Sequence, residues 1–346
     1  MLCPMRLHFR SVVLPLRRPL TAAWGELRER ELLEVTVTGH DGVTGRGEAA
    51  PLEPYDGVPL ASVRAALDAY ANVLADAPPD AEREELLAAC AAERPLPHAL
   101  AAIDVALWDI EAQRAGVPVA ALLHPRALVR IPVNATVGAA DRAGAAAAAG
   151  RAAASGYGCV KVKVGIGDDA GRVAAVRAAI GPDVLLRVDA NGAWADPEEA
   201  LANLRALLPS DIELAEEPVS GIEAFAAVRE ASPVPVAMDE TAEDVRAVES
   251  GAADLVCLKI GRCGGITGVL EAAALARGAG SEVYVASTLD GPAGIAAAVH
   301  AAAALGADAP LRHCGLATLD LFEGVAPGVL RVDLGRITVP PGPGLL

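Results

Sequence analysis

Lysine is almost missing from this chain: Lys161, Lys163 and Lys259 are its only three among 29 basic residues in a sequence of 346. Arginine serves wherever only a cation is wanted. The two differ physically, because a buried ammonium can be desolvated into losing its proton whereas a guanidinium cannot. Lysines confined to Cys159-Val-Lys-Val-Lys-Val164 and Asp254-Leu-Val-Cys-Leu-Lys-Ile260, both apolar runs, therefore point to proton transfer. Aromatics are scarce as well, at 3%, so the 53% apolar fraction describes a core of Ala, Val and Leu. Positive charge is in deficit. A net charge of -16 argues against nucleic acid or an anionic membrane surface as partner. No apolar run is long and uncharged enough for a membrane span, and no export signal is visible. Six cysteines, Cys3, Cys90, Cys159, Cys257, Cys263 and Cys314, form no CxxC pair and no disulfide-like spacing, so a reducing, cytoplasmic setting is expected.

The length suits one large domain and one smaller one. Residues 6–14, Leu32–Thr38 and Val43–Glu48 read as strands, the last two joined by a Gly39-His-Asp-Gly42 hairpin. Helical periodicity follows at 61–75, 81–92 and 100–114. Residues 1–125 are thus predicted to form an α+β capping domain. Beyond them short apolar runs recur at 131–137, 159–164, 184–188, 212–215, 234–238, 254–260, 282–287 and weakly at 311–316. Helix-like segments, among them 141–154, 168–180, 197–208 and 266–279, lie between. Eight such repeats predict an α/β fold of (β/α)₈ barrel type, TIM-like in outline, over 126–318. The rival, an open doubly wound sheet, lacks the Gly-x-Gly-x-x-Gly it needs after a first strand. Residues 319–346 are expected to return to the capping domain.

Charged residues recur at one place, the C-terminal end of a predicted barrel strand. There stand Lys161 and Lys163, Asp189 in Arg187-Val-Asp-Ala-Asn-Gly192, Glu216 in Leu214-Ala-Glu-Glu-Pro218, Asp239 in Ala237-Met-Asp-Glu240, and Lys259. That rim is where barrel enzymes place their chemistry. Three carboxylates converging from successive strands make a hard oxygen site suited to Mg²⁺, with Mn²⁺ as the alternative ion. Lys161 and Lys163, two apart on a strand, should point the same way, and repulsion with burial should lower an amine pKa toward neutrality. A carboxylate held by the metal between amines would lose its α-proton, and the divalent ion would stabilise the enediolate.

These motifs, Lys-x-Lys, Asp-Ala-Asn-Gly, Glu-Glu-Pro, Asp-Glu and a final Lys in this order, together with Ala102-Ile-Asp-Val-Ala-Leu-Trp-Asp109, resemble the enolase superfamily in its muconate-lactonizing subgroup. The resemblance implies Lys163 as base, Lys161 as its electrostatic neighbour, Lys259 as the facing amine, and Asp189, Glu216 and Asp239 as metal ligands. Within the family, Ser287-Thr-Leu-Asp-Gly-Pro-Ala-Gly294 and Cys314-Gly-Leu-Ala-Thr-Leu-Asp320 look most like the o-succinylbenzoate synthases of menaquinone biosynthesis. A small carboxylate substrate and syn elimination of water are then implied, with a homo-oligomer left open. Asn191, Ser287, Thr288 and Asp290 are candidate substrate contacts, and loops at Leu20–Glu26 and Pro51–Gly57 are expected to close over the rim. Glu217 and Glu240 should point away by strand alternation. The alternatives are an N-succinylamino acid racemase, a dipeptide epimerase or a muconate cycloisomerase on the same machinery, or a non-catalytic metal-binding barrel.

Overall fold

The computed structural model describes residues 3–22, 25–138 and 141–346. Arg6–Ala22 (β1) and Gly25–Thr38 (β2) pair antiparallel, and β2 pairs with Thr44–Ala49 (β3). β1 runs past its predicted end. Its register shifts between Pro15 and Leu20, where Arg17, Arg18 and Pro19 also break the apolar alternation that sequence reading relies on. The helices Leu60–Ala75, Arg83–Glu93 and Pro97–Ala115 cover this sheet. The last of them approaches β3 closely because Gly45 and Gly47 lack side chains: a Cβ on either would lie 1.9 Å from the Ala106 or Ala102 carbonyl.

Seven parallel strands then form a curled sheet: Ala135–Val137 (β5), Cys159–Lys163 (β6), Leu185–Asp189 (β7), Leu214–Glu216 (β8), Val236–Met238 (β9), Leu255–Leu258 (β10) and Glu282–Val285 (β11), neighbours in chain order. The number β4 belongs to Arg130–Pro132, the first half of the predicted run 131–137, which is split. It pairs antiparallel with Arg336–Thr338 (β13), itself paired with Val332–Asp333 (β12). The eighth predicted run makes no strand. Cys314 and Gly315 supply single parallel bridges to Val133 and Ala286, joining the two edges of the sheet. Arg312, His313 and Gly315 interrupt the apolar run there, so a short bridge replaces a ladder.

Alternation along each strand sets the layers. Val160 and Val162 pack outward in the helix-side core, as do Val256 and Leu258, while Leu214, Ala237, Leu255, Cys257 and Tyr284 fill the barrel interior. Each buried aliphatic side chain contributes about 1.5–3 kcal/mol. Helix starts follow their caps: Asp141 accepts from Gly144 N, and Asp196, before Pro197, accepts from Glu199 N. No described helix is long and apolar enough to cross a membrane.

The tail beyond Leu319 touches both parts of the chain. Phe322 bridges to Leu16 and Gly344 to Pro118, while Leu345 N donates to Asp109 at 2.8 Å, and β12 and β13 extend β4. The seam between β3 and the barrel holds a buried carboxyl, Glu48. One of its oxygens accepts from Gly291 N at 2.6 Å, at the start of the helix Pro292–Leu305, and the other has no hydrogen-bond partner among the described residues. Arg30 crosses the same seam, donating to the carbonyls of Ala50 and Pro51 at 2.6 and 2.7 Å and more weakly to Leu289 at 3.4 Å.

Burial first, and the nearby Asp290 charge second, push Glu48 up from 4.5 to about 8. A carboxyl that keeps its proton in the folded chain contributes stability fully below the unfolded value and loses it as pH rises through the folded one. Glu48→Gln should therefore match the parent near pH 5 and exceed it near pH 9 by on the order of 4 kcal/mol, read from urea unfolding midpoints.

Candidate active site

Parallel register brings the charged strand ends to one level. Lys163 pairs with Asp189, and Asp189 with Glu216; Asp239 and Lys259 directly follow β9 and β10. β6 and β10 lie four positions apart in the ring closed by residues 314–315, so Lys163 and Lys259 reach the centre from opposite walls. Lys161 Nζ donates to Asp189 Oδ2 at 2.8 Å and to Glu216 Oε1 at 2.7 Å. Lys163 Nζ donates to the same Asp189 oxygen and to Asn191 Oδ1, both at 2.7 Å. Lys259 Nζ reaches Asp239 Oδ2 at 2.7 Å. The side chains of Asp189 and Glu216 are fully buried, and that of Asp239 is 3% exposed.

Burial of this kind raises a carboxyl and lowers an amine, and here neighbouring charge mostly overrides it. Asp189 faces burial but is held well below the carboxylate range by Lys161 and Lys163. Asp239 is likewise depressed, against burial, by Lys259 and Arg262. Glu216 rises to about 7, because burial and the Asp189 charge outweigh the lysines. The expected lowering of the amines fails at Lys161. Desolvation alone would lower it, but Asp189 and Glu216 hold it well above the ordinary lysine value. Lys259 is also raised, its burial outweighed by Asp239. Repulsion between lysines is thus the smaller effect wherever carboxylates stand between them.

Asn191 serves both as turn residue and as site residue. Its backbone is left-handed, φ 48°, and its amide bridges Lys163 to Glu240 Oε1, donating to the latter at 2.8 Å. Ser287 and Thr288 line the cavity, with Ser287 Oγ 3.0 Å from Thr318 Oγ1. Asp290 does not. It is buried behind the rim beside Glu48 and Arg30, where the turn into the helix Pro292–Leu305 directs it, so its candidacy as a substrate contact is withdrawn. Glu217 turns from the cavity at φ 40° and accepts from the backbone amides of Asp239 and Thr241 at 2.7 and 2.8 Å, fixing the strand end that carries Asp239.

Sequence reading missed Tyr55, Arg262 and Tyr284. Tyr55, from the 51–57 loop, donates to Asp239 Oδ2 at 3.0 Å, accepts from Lys259 at 2.5 Å and offers that ammonium its ring at 4.4 Å. Arg262 Nη2 donates to Asp239 Oδ1 at 2.9 Å. Tyr284 Oη donates to Glu216 Oε2 at 2.6 Å. The glycines around Arg262 are set by packing: at Gly265, φ 121°, a Cβ would lie 2.3 Å from Asp104. Leu20, Leu52, Leu289 and Leu321 give the cavity an apolar roof. Leu20 belongs to the predicted 20–26 loop, whose Ala23 and Trp24 lie outside the described residues.

The donor chemistry fits a divalent cation. Three buried carboxylates sit on adjacent strand ends, each compensated by ammonium, guanidinium or phenol groups that a cation could replace. Ligand atoms of Glu216, Asp239 and Cys257 lie within 4.8 Å of one another, whereas Asp189 is drawn onto the two lysines.

Comparison with known proteins agrees with this architecture. The pattern of the family described as "Enolase C-terminal domain-like" matches residues 144–345, and that of the "Mandelate racemase / muconate lactonizing enzyme, N-terminal domain" matches residues 5–124. The chain belongs to the enolase superfamily, in its muconate-lactonizing subgroup. It is 31% identical to muconate cycloisomerase 1 of Rhodococcus opacus over 96% of this chain and 92% of that one. It is 41% identical to the o-succinylbenzoate synthase of Thermobifida fusca over 56% of this chain and 61% of that one. The structure of N-succinyl Arg/Lys racemase from Bacillus cereus superposes with a TM-score of 0.91 at 27% identity, covering 100% of this chain and 95% of that one.

Tyr284 supports the carboxylate of Glu216 without reaching the cavity. Tyr284→Phe is expected to leave the fold intact and to weaken Mg²⁺ binding by at least about tenfold, as loss of a ligand's outer partner does, measured by calorimetric titration.

Proposed function

We propose that this chain removes the proton α to a carboxylate, and does so in the syn elimination of water from 2-succinyl-6-hydroxy-2,4-cyclohexadiene-1-carboxylate to give o-succinylbenzoate, a menaquinone precursor. The observation that carries the proton chemistry is the pair of amines, Lys163 and Lys259, reaching one cavity from opposite walls beside three buried carboxylates. Asp189, Glu216 and Asp239 would hold the ion, Mg²⁺, which when bound supplies a Lewis acid for the substrate carboxylate.

Lys163 takes the α-proton. Lys161 shares an Asp189 oxygen with Lys163 and so helps to position that carboxylate beside it. Lys259 keeps its proton beside Asp239 and faces the negative charge that grows on the substrate carboxylate as the C–H bond breaks. In a syn elimination the hydroxyl leaves from the face of the base, so the Lys163 ammonium returns the proton to it. Water departs, the amine is restored and the ring becomes aromatic. The leucine roof excludes water from the ring, while Asn191, Ser287, Thr288 and Thr318 offer polar contacts to its substituents.

The choice of substrate is supported by the 41% identity to a synthase, and by a cavity in which Asp239 is the only acidic lining residue among the described residues. A second reading, racemisation of an N-succinylamino acid, is favoured by the same opposed lysines, since a racemase needs a base on each face. With Mg²⁺, the purified chain should consume the cyclohexadiene and release o-succinylbenzoate. Lys163→Ala should cut kcat by at least about 10³-fold, and Lys259→Arg should retain measurable dehydration while losing racemisation. Failure to convert the diene would refute the synthase reading; equal loss of both activities in Lys259→Arg would count against the passive role of Lys259.

A further inference from the structure

Cys257 belongs to no part of the chemistry above, yet it stands against it. Its strand neighbours Val256 and Leu258 pack into the helix-side core, so Cys257 takes the inner face of the barrel with Lys259. It is fully buried, and one ligand atom each from Cys257, Glu216 and Asp239 lies within 4.8 Å of the others. The thiols of Cys159 and Cys314 reach Glu213 and the Arg312 carbonyl; that of Cys257 has no hydrogen-bond partner among the described residues.

We infer that Glu216, Asp239 and Cys257 form a second cation site, for a thiophilic divalent ion such as Zn²⁺, overlapping the hard carboxylate set and exclusive of it. Two oxygens and one sulfur make an open three-ligand set, with the fourth position left to water or a substrate oxygen. Sulfur selects against Mg²⁺, whose preferred ligands are oxygens, and in favour of borderline-soft ions. On coordination the S–H bond breaks, the proton passes to solvent, the sulfur electron pair goes to the ion, and no oxidation state changes. Because Glu216 and Asp239 would serve both ions, the two must compete. The site stands whether or not the chain dehydrates the diene.

The test uses the full-length chain, stripped of metal, with Cys3, which is exposed, replaced by Ser. With one equivalent of Zn²⁺, X-ray absorption fine structure should give one sulfur at about 2.3 Å among oxygen ligands. With Cd²⁺, the ultraviolet thiolate charge-transfer band should appear, be suppressed by excess Mg²⁺, vanish in Cys257→Ser and persist in Cys263→Ser. Zinc Kd should rise at least about tenfold in Cys257→Ser, with Mg²⁺ affinity changed less than about twofold. An oxygen-only zinc shell, or a cadmium band that survives Cys257→Ser, would overturn the assignment. The absorption measurement on the parent chain decides the matter even if Cys257→Ser fails to fold.

Discussion

Three buried carboxylates and the three lysines gathered on them in one barrel can exist only by compensating one another. An isolated charge at that depth costs several kcal/mol, and removing one partner strands the other. Every oxygen of Asp189, Glu216 and Asp239 accordingly meets an ammonium, a guanidinium, a phenol or a backbone amide. This constraint explains the lysine distribution. Arginine satisfies charge elsewhere, but an arginine at 161, 163 or 259 could pair with the carboxylates and never release a proton to chemistry.

The same constraint explains what surrounds the site. Glu217 clamps the backbone at Asp239, and Asn191 ties Lys163 to Glu240. Tyr55 brings the capping loop onto Lys259 and Asp239, so the loop that covers the cavity is bonded to the charges it covers. Arg30 fixes the base of that loop to the barrel rim through backbone carbonyls. Closure and charge placement are therefore one mechanical unit.

Much of this was legible in the sequence, for a definite reason. Strand alternation and parallel register are short-range rules, so Lys161 and Lys163 could be assigned to one face, and Lys163, Asp189 and Glu216 to one level, from spacing alone. What eluded sequence reading depends on contacts distant along the chain. Tyr55 lies 184 positions from Asp239, with which it bonds, and Tyr284 lies 68 from Glu216. Asp290 looked like a rim residue because its local pattern is polar, but the helix that follows turns it to Glu48. The eighth strand was overcounted because a bridge of one residue on each side closes the ring as well as a ladder would. Lowering of an amine was expected from two lysines close in sequence, but the carboxylates that raise Lys161 arrive from other strands.

The central claim is that Lys163, with Lys259 on the facing wall of this cavity, removes the proton α to a carboxylate. It is tested most directly by proton NMR of N-succinylamino acids incubated with the chain and Mg²⁺ in deuterated water. The account predicts loss of the α-proton signal with the parent chain, its suppression by a chelator, and no loss with a Lys163→Ala, Lys259→Ala double variant. Exchange that persists in the double variant, or none with the parent chain for any of these acids, would contradict it.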